Sequence, residues 1–282
     1  MNRTIISWAT YTLNIIHSCS KPIETDTTTG IRFISPECLH CYAETLSLRR
    51  GWTKKPWTEP NAESNIILRP ERIRELRKLK VAPVDLPPSE RERIFICSMG
   101  DIFHRLVPDI FLHELFSTMV EVPHIYQLLT KRPERAAEWP GPWPDHIWLG
   151  TTCGDPRTKF RIDHLRRSQA KVRFVSAEPL LGSLLPIDLS GIDQVIVGGE
   201  SGQHHRTMQM QWARELRDEC AKQGVAFFFK QDEAFRTETR CYLVEEDGRC
   251  MQYRQFPGEM NPPVKVQPDN PKWHAAHFPI LR

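Results

Sequence analysis

The stretch Gln194-Val-Ile-Val-Gly-Gly-Glu-Ser-Gly202 shows the pattern that decides the fold: a short, nearly continuous apolar run followed at once by glycines and a carboxylate. Runs of this kind are typical of strands covered on both faces, as in a parallel sheet. Besides Gln194–Val197, short apolar runs occur after residue 90 at Ile94–Cys97, Ile125–Leu129, Ile147–Gly150, Val172–Val175 and Val225–Phe229. An earlier strand is expected between Ile5 and Ile16.

Helical patterns separate these runs. The predicted helices are Pro70–Lys80, one opened by Pro108, a shorter one opened by Pro133, Asp155–Ser168, and Met210–Gln223 ended by Gly224. Proline in the first turn and glycine after the last are boundary signals. Strands that alternate with helices indicate βαβ units. We therefore predict an α/β fold, a partial (β/α) barrel of the TIM type with about seven mainly parallel strands, and a flat doubly wound sheet as the alternative.

The C-terminal part follows a different pattern. Cys241–Tyr253 predicts a hairpin that turns at Asp247-Gly248. From Phe256 onward, prolines are too frequent for a helix or a central strand, so an irregular Pro-rich tail is expected. We accordingly divide the chain into a barrel over residues 1–231 and a C-terminal hairpin and extension, packed on the barrel, over residues 232–282.

Composition excludes several classes of protein. With 282 residues, 40% hydrophobic and 26% charged, the chain is not largely disordered. No apolar run approaches the ~20 residues that span a bilayer, and no export signal is evident. We therefore expect a cytoplasmic protein with reduced thiols and no membrane partner. The net charge of +3 is too weak to indicate a nucleic-acid partner, and it excludes none.

Polar, charged or glycine-rich residues follow six successive predicted strands. Chemistry gathers at the carboxyl ends of strands in parallel α/β folds. The candidate catalytic residues are accordingly Lys131, which could pair with a carboxylate or phosphate, Glu178 and Glu200, which could face the barrel mouth, and Lys230, which could bind a substrate edge. A solvated loop or a salt bridge is the competing interpretation of each.

Cys38-Leu-His-Cys41 and Cys19 place three thiols after the first predicted strand. The start of a helix beside Cys41 would favour a thiolate. Three cysteines can hold a [4Fe-4S] cluster and leave one iron open for S-adenosylmethionine. Two alternatives stay open: a Cys₃His zinc site with His17 or His40 as the fourth ligand, and buried thiols without a metal.

Several motifs carry a resemblance to a known family. They are Trp8 through Asn14 to Cys19, Ser35-Pro-Glu-Cys-Leu-His-Cys-Tyr-Ala-Glu44, Ser98-Met-Gly-Asp-Ile-Phe-His104, Leu129-Thr-Lys-Arg-Pro133, Glu178-Pro-Leu-Leu-Gly182, Gly198-Gly-Glu-Ser-Gly202 and Phe227-Phe-Phe-Lys-Gln231. From about residue 5 to about residue 258, the chain resembles phage- and bacteria-borne three-Cys-motif proteins. That domain family of unknown function is thought to be related to radical S-adenosylmethionine enzymes.

The resemblance implies roles for particular residues. Cys19, Cys38 and Cys41 would ligate the cluster. Met99, Gly100 and Asp101 would hold the cofactor amino group, and Gly198 and Gly199 would form a wall for its adenine. The chain departs from the family motif at Ile15, Ser18 and Glu37, which replace proline, glycine and glycine, and its gap between Cys19 and Cys38 is longer than usual.

The segment Arg49-Arg-Gly-Trp-Thr-Lys-Lys-Pro-Trp57 interleaves four cations with two indoles. Cations neutralise phosphates and aromatic faces stack on unpaired bases, which suits a nucleic acid. The same composition also suits an ordinary exposed loop.

Two functions therefore remain. One is a radical S-adenosylmethionine-like enzyme, supplied by an electron donor and acting on an unidentified substrate such as a nucleic-acid base or nucleotide. The other is a zinc- or cluster-stabilised binding module that acts on nucleic acid or with a partner protein in phage biology or phage defence.

Overall fold

A computed structural model describes residues 1–26 and 29–267. Its strands, in chain order, are β1 (Asn2–Arg3), β2 (Tyr11–Leu13), β3 (Ile16–His17), β4 (Ile23–Thr25), β5 (Arg32–Ile34), β6 (Ile67–Leu68), β7 (Arg93–Ile96), β8 (Ile125–Thr130), β9 (Ile147–Thr152), β10 (Val172–Ala177), β11 (Gln194–Gly198), β12 (Ala226–Gln231), β13 (Leu243–Val244), β14 (Cys250–Gln252) and β15 (Val264–Val266). The α-helices are α1 (Tyr42–Arg49), α2 (Ala62–Asn65), α3 (Asp109–Glu121), α4 (Pro133–Glu138), α5 (Phe160–Arg166) and α6 (Met210–Gln223).

The main sheet has eight strands in the order β1-β2-β7-β8-β9-β10-β11-β12. β1 pairs antiparallel with β2, and every other neighbouring pair is parallel. Each strand from β7 onward adds to the same growing edge, so the order has no reversal of the kind that marks a doubly wound sheet. The fold is thus a mixed α/β fold whose mostly parallel sheet curls into a half-barrel.

Both faces of the sheet are buried, which explains the continuous apolar runs. The outer face joins the helices in the large core, with residues such as Leu128, Val195 and Phe229. The inner face carries a second cluster, whose members are Trp8, Ala9, Phe95, Ile125, Trp148, Phe174, Ile196, Phe228 and Phe256. This inner cluster fills the concave side of the half-barrel.

Helix α6 begins and ends where the sequence predicts, and Gly224 follows it at φ +69°. Two other helix predictions need correction. Pro70–Lys78 forms a 3-10 helix, and its three residues per turn align the buried pair Ile73 and Leu76. Asp155–Ser168 divides into a 3-10 turn at Pro156–Thr158, capped by the Asp155 side chain, and helix α5.

The predicted C-terminal hairpin forms from β13 and β14, with Gly248 at φ +80° in its turn. The prediction of an irregular tail from Phe256 is wrong in part, because β15 pairs antiparallel with β14 at the edge of this small sheet. An edge strand tolerates the prolines that a central strand excludes. Pro268, Pro271 and Pro279 lie outside the described residues, and the division at residue 231 stays a prediction.

Within residues 1–26 and 29–267, no helix is both long and apolar enough to cross a bilayer.

Candidate functional site

A cavity of about 570 Å³ opens at the carboxyl ends of the parallel strands. Its position follows from the alternation of side chains along a strand, since residues two apart share a face. Two residues beyond the inner-face Phe174 and Phe228 come Ser176 and Lys230, and both line the cavity. The inner face is therefore apolar at its base and polar at its rim. The volume lies within the range of small-molecule and cofactor sites.

The cavity brings together most of the residues predicted from the sequence. Those that line it are Cys19, Cys38, Cys41, Gly100, Asp101, Lys131, Glu178, Gly199, Glu200 and Lys230. Met99 and Gly198 do not line it. Met99 is buried against Ala43 and Trp57, and a Cβ at Gly198 would lie 3.0 Å from Cγ of Glu178. Met99 and Gly198 are therefore not on the cavity wall, from which the predicted cofactor contacts would be made.

Cys19 is held at the rim by a close backbone approach. Ser18 N–H donates to Met99 O at 2.8 Å, and a Cβ on Gly100 would lie 2.9 Å from Ser18 O. Ser18 adopts φ +78°, a conformation that favours glycine. Burial raises the pKa of the Cys19 thiol to about 11, although the Arg132 guanidinium opposes this shift.

Cys38 and Cys41 flank the start of α1. Cys38 ends the 3-10 turn Pro36–Cys38, and Cys41 precedes the first residue of α1. Burial, then the neighbouring Cys38, raises the pKa of Cys41, and the backbone N–H groups of Glu44 and Ala43 oppose this only in part. The helix start therefore does not by itself hold Cys41 as a thiolate. In the described part of the chain, no three His, Cys, Asp or Glu side chains are grouped to hold a metal ion.

Glu37, the residue before Cys38, anchors the cysteine loop inside the protein. Its carboxylate accepts hydrogen bonds from Thr158 Oγ1 at 2.6 Å, Ser35 Oγ at 2.7 Å and Gly154 N–H at 3.0 Å. The fully buried Arg161 lies 3.5 Å from it. Burial alone would raise the pKa of Glu37, but Arg161 and these donors hold it below its usual value. In the sequence, Glu37 stands out only as a departure from the resembled motif, because Gly154, Thr158 and Arg161 are distant in the chain.

The carboxylate of Asp101 accepts four hydrogen bonds at the rim of the cavity. Oδ1 accepts from Phe103 N–H and Thr130 Oγ1, while Oδ2 accepts from Lys131 N–H and Arg132 Nη1. Burial alone would raise the pKa of this carboxyl, but Arg132 and these donors lower it. The expected contact with a cofactor ammonium would therefore compete with four existing hydrogen bonds.

Arg132 links that carboxylate to the first cysteine. Its Nη1 lies 3.4 Å from Cys19 Sγ and 3.0 Å from Asp101 Oδ2, and its Nη2 donates to Ser20 O at 2.8 Å. Lys131, the residue before it, is the second cation of this wall. Burial would lower the pKa of Lys131, but Cys38 and then Glu37 raise it above its usual value.

Two ion pairs form the remaining polar wall. Lys230 Nζ lies 2.6 Å from Glu178 Oε1, and this partner keeps the pKa of Lys230 above its usual value despite burial. Glu200 is bound by Arg206 at 2.5 Å and approached by His40 Nδ1 at 3.1 Å. The predicted salt bridges thus occur, although both carboxylates still line the cavity.

The two histidines considered for a zinc site occupy different surroundings. His40 lines the cavity beside Glu200, whereas His17 packs against the ring of Trp52 at a centroid distance of 5.7 Å. Trp57, whose place in the wall the sequence did not reveal, is buried against Met99 and lines the cavity.

A family model described as "Protein of unknown function (DUF5131)" matches residues 3–261. Searches of curated proteins and of solved structures find no match.

Replacing Glu37 by alanine should lower the free energy of unfolding by about 3 kcal/mol, because Arg161 loses a buried partner and the loop loses three hydrogen bonds. Urea unfolding followed by circular dichroism measures this. The matched control, Glu121→Ala, removes a pair with Arg77 at the surface and should lower the free energy of unfolding far less, because solvent screens an exposed pair. Equal losses would contradict the anchoring role.

His104 should make folding pH-dependent. Leu106 N–H donates to its Nδ1, so Nε2 carries the proton and faces Ser20 Oγ at 2.8 Å. Burial, then Arg132, lowers the pKa of His104 from 6.5 to about 4. Between these values the unfolded chain binds more protons, so the contribution is complete above pH 6.5 and is lost as the pH falls toward 4.

After allowance for solvent screening, unfolding measurements at pH 7 and pH 5 should show wild type losing about 1 kcal/mol more than His104→Asn. The other histidines contribute to both proteins and cancel in this difference. Identical losses in the two proteins would contradict the assignment.

Proposed function

The chain belongs to the DUF5131 family of proteins of unknown function, and we propose that it is a radical S-adenosylmethionine-type iron–sulfur enzyme. One observation carries the proposal. Cysteines from two separate stretches of the chain, Cys19 and the pair Cys38 and Cys41, line one cofactor-sized cavity at the carboxyl ends of a parallel half-barrel. That edge of a parallel α/β sheet is where ligands bind.

The donor type, three thiols on one cavity wall, suits such a cluster, and binding would have to draw together side chains that are not grouped in the described residues. Thiolates are the usual ligands of iron–sulfur clusters, and three of them leave one iron open. A cluster with thiolate ligands places negative charge in the cavity, and Lys131 and Arg132 lie there to balance it. Arg132 already contacts Cys19 Sγ. Cys19, Cys38 and Cys41 would hold the cluster.

The chemistry supplied by a bound cluster with S-adenosylmethionine is one-electron cleavage of the sulfonium bond to give an adenosyl radical. The protein excludes water from the base of the half-barrel, below the cavity, because Phe95, Phe174 and Phe228 fill it. It also offers Lys131 as a cation for a carboxylate. Asp101 acts here as a positioning residue for Arg132, and Glu178, Glu200 and Lys230 remain the polar groups for substrate and cofactor.

Cys19, Cys38 and Cys41 should each be needed for iron. In protein purified anaerobically, replacing any one of them by alanine should lower bound iron to less than half of the wild-type content, because a ligand is lost. Iron analysis and the visible absorption band measure this. Cys220→Ala is the control, since Cys220 is buried in the outer core on α6. Wild type with stoichiometric zinc, or a Cys19→Ala protein with unchanged iron, would refute the cluster.

Cluster-loaded wild type should release 5′-deoxyadenosine from S-adenosylmethionine and a reductant, slowly and without substrate. Asp101→Asn should reduce this rate by roughly tenfold, because the charge that orients Arg132 is lost. Chromatography of the products gives the rate, and spectroscopy verifies the cluster in each protein. An intact cluster that neither binds nor cleaves S-adenosylmethionine would eliminate the enzyme and favour the binding module.

A further inference from the structure

We infer that the segment Arg49–Trp57, here called the basic segment, docks a single strand of nucleic acid beside the cavity. Passage of a base from this strand into the cavity as substrate rests on the proposed function. Docking itself rests only on the charges, the exposed indole and the course of the chain.

The basic segment presents cations that the protein itself does not neutralise. Arg49, Arg50, Lys54 and Lys55 are all exposed. Within the described part of the chain, none of the four takes part in a salt bridge, and the segment contains no carboxylate. Four free cations in seven residues form a site for consecutive phosphates.

Trp52 lies in the middle of these cations and is 45% exposed. Its ring rests on His17, tilted by 57°. An exposed indole on a supporting ring, among cations, suits stacking on an unpaired base, which an acidic peptide does not offer.

The course of the chain joins the basic segment to the cavity. Helix α1 runs from beside Cys41 to Arg49, a rise of about 12 Å for its eight residues. The segment then returns to the cavity at Trp57, which is 3% exposed and lines it.

Glu44 fixes that return. Its carboxylate accepts from Trp57 N–H at 2.7 Å and pairs with Lys21 at 2.6 Å, while Lys21 N–H donates to Trp57 O at 3.0 Å. A strand held on the exposed part of the basic segment is thereby brought to the edge of the cavity.

Fluorescence anisotropy of the full chain with labelled single-stranded DNA and RNA of about 12 nucleotides tests the inference. Trp52→Ala should weaken binding roughly five- to hundredfold, and Trp52→Phe should retain most of it. Lys54→Gln/Lys55→Gln should reduce the slope of log affinity against log salt by about 1.4, since each phosphate contact contributes about 0.7.

Lys78→Gln/Lys80→Gln is the matched control, because it removes the same charge from exposed positions outside the basic segment. It should leave the affinity and the salt slope nearly unchanged. The thermal unfolding temperature should be the same in every variant as in wild type. Equal losses in the two double variants, no loss in Trp52→Ala, or equal affinity for heparin would each overturn the inference. Binding does not require the cluster, so a protein that docks the strands but lacks iron refutes the proposed function alone.

Discussion

The alternation of side chains along the parallel strands controls the architecture of this protein. One set of positions enters the outer core, and the other set faces the hollow of the half-barrel. Along this inner set, the rings of Phe174 and Phe228 are followed two residues later by Ser176 and Lys230, which line the cavity. A shift of one residue in the register of any strand would turn its inner side chains to the outer face and its outer side chains into the half-barrel, which would destroy the cavity. Strand register therefore determines both stability and the site.

Much of this architecture could be predicted from the sequence, because strands buried on both faces and helices ended by glycine leave local signals. The six runs after residue 90 and α6 are examples. What could not be predicted depends on distant partners. Glu37 meets Thr158 and Arg161 only after the sheet has formed. Three of the four donors to Asp101 come from the distant residues Thr130, Lys131 and Arg132, so a motif alone could not show how little hydrogen-bonding capacity that carboxylate has left.

Two departures from the resembled motif have clear physical consequences. Ser18 keeps the left-handed backbone that glycine would adopt at less cost, and its backbone still pairs with the Gly100 turn. Glu37 adds a buried carboxylate where glycine would add nothing, and Arg161 compensates its charge. Both residues are thereby accommodated in the chain segments that hold Cys19 and Cys38.

The antiparallel β4–β5 hairpin occupies the long interval between Cys19 and Cys38. The two cysteines on either side of it are fixed independently, Cys19 through the Gly100 turn and Cys38 through Glu37 and the loop after β9. The distance in space between Cys19 and Cys38 therefore does not depend on the number of residues between them. Because lengthening a loop costs only about 0.6 kcal/mol for each doubling, the hairpin is a length-tolerant insert. Evolution can extend or shorten it as a module while the thiols keep their places, so spacing in sequence is a poor criterion for recognising this cysteine set in other chains.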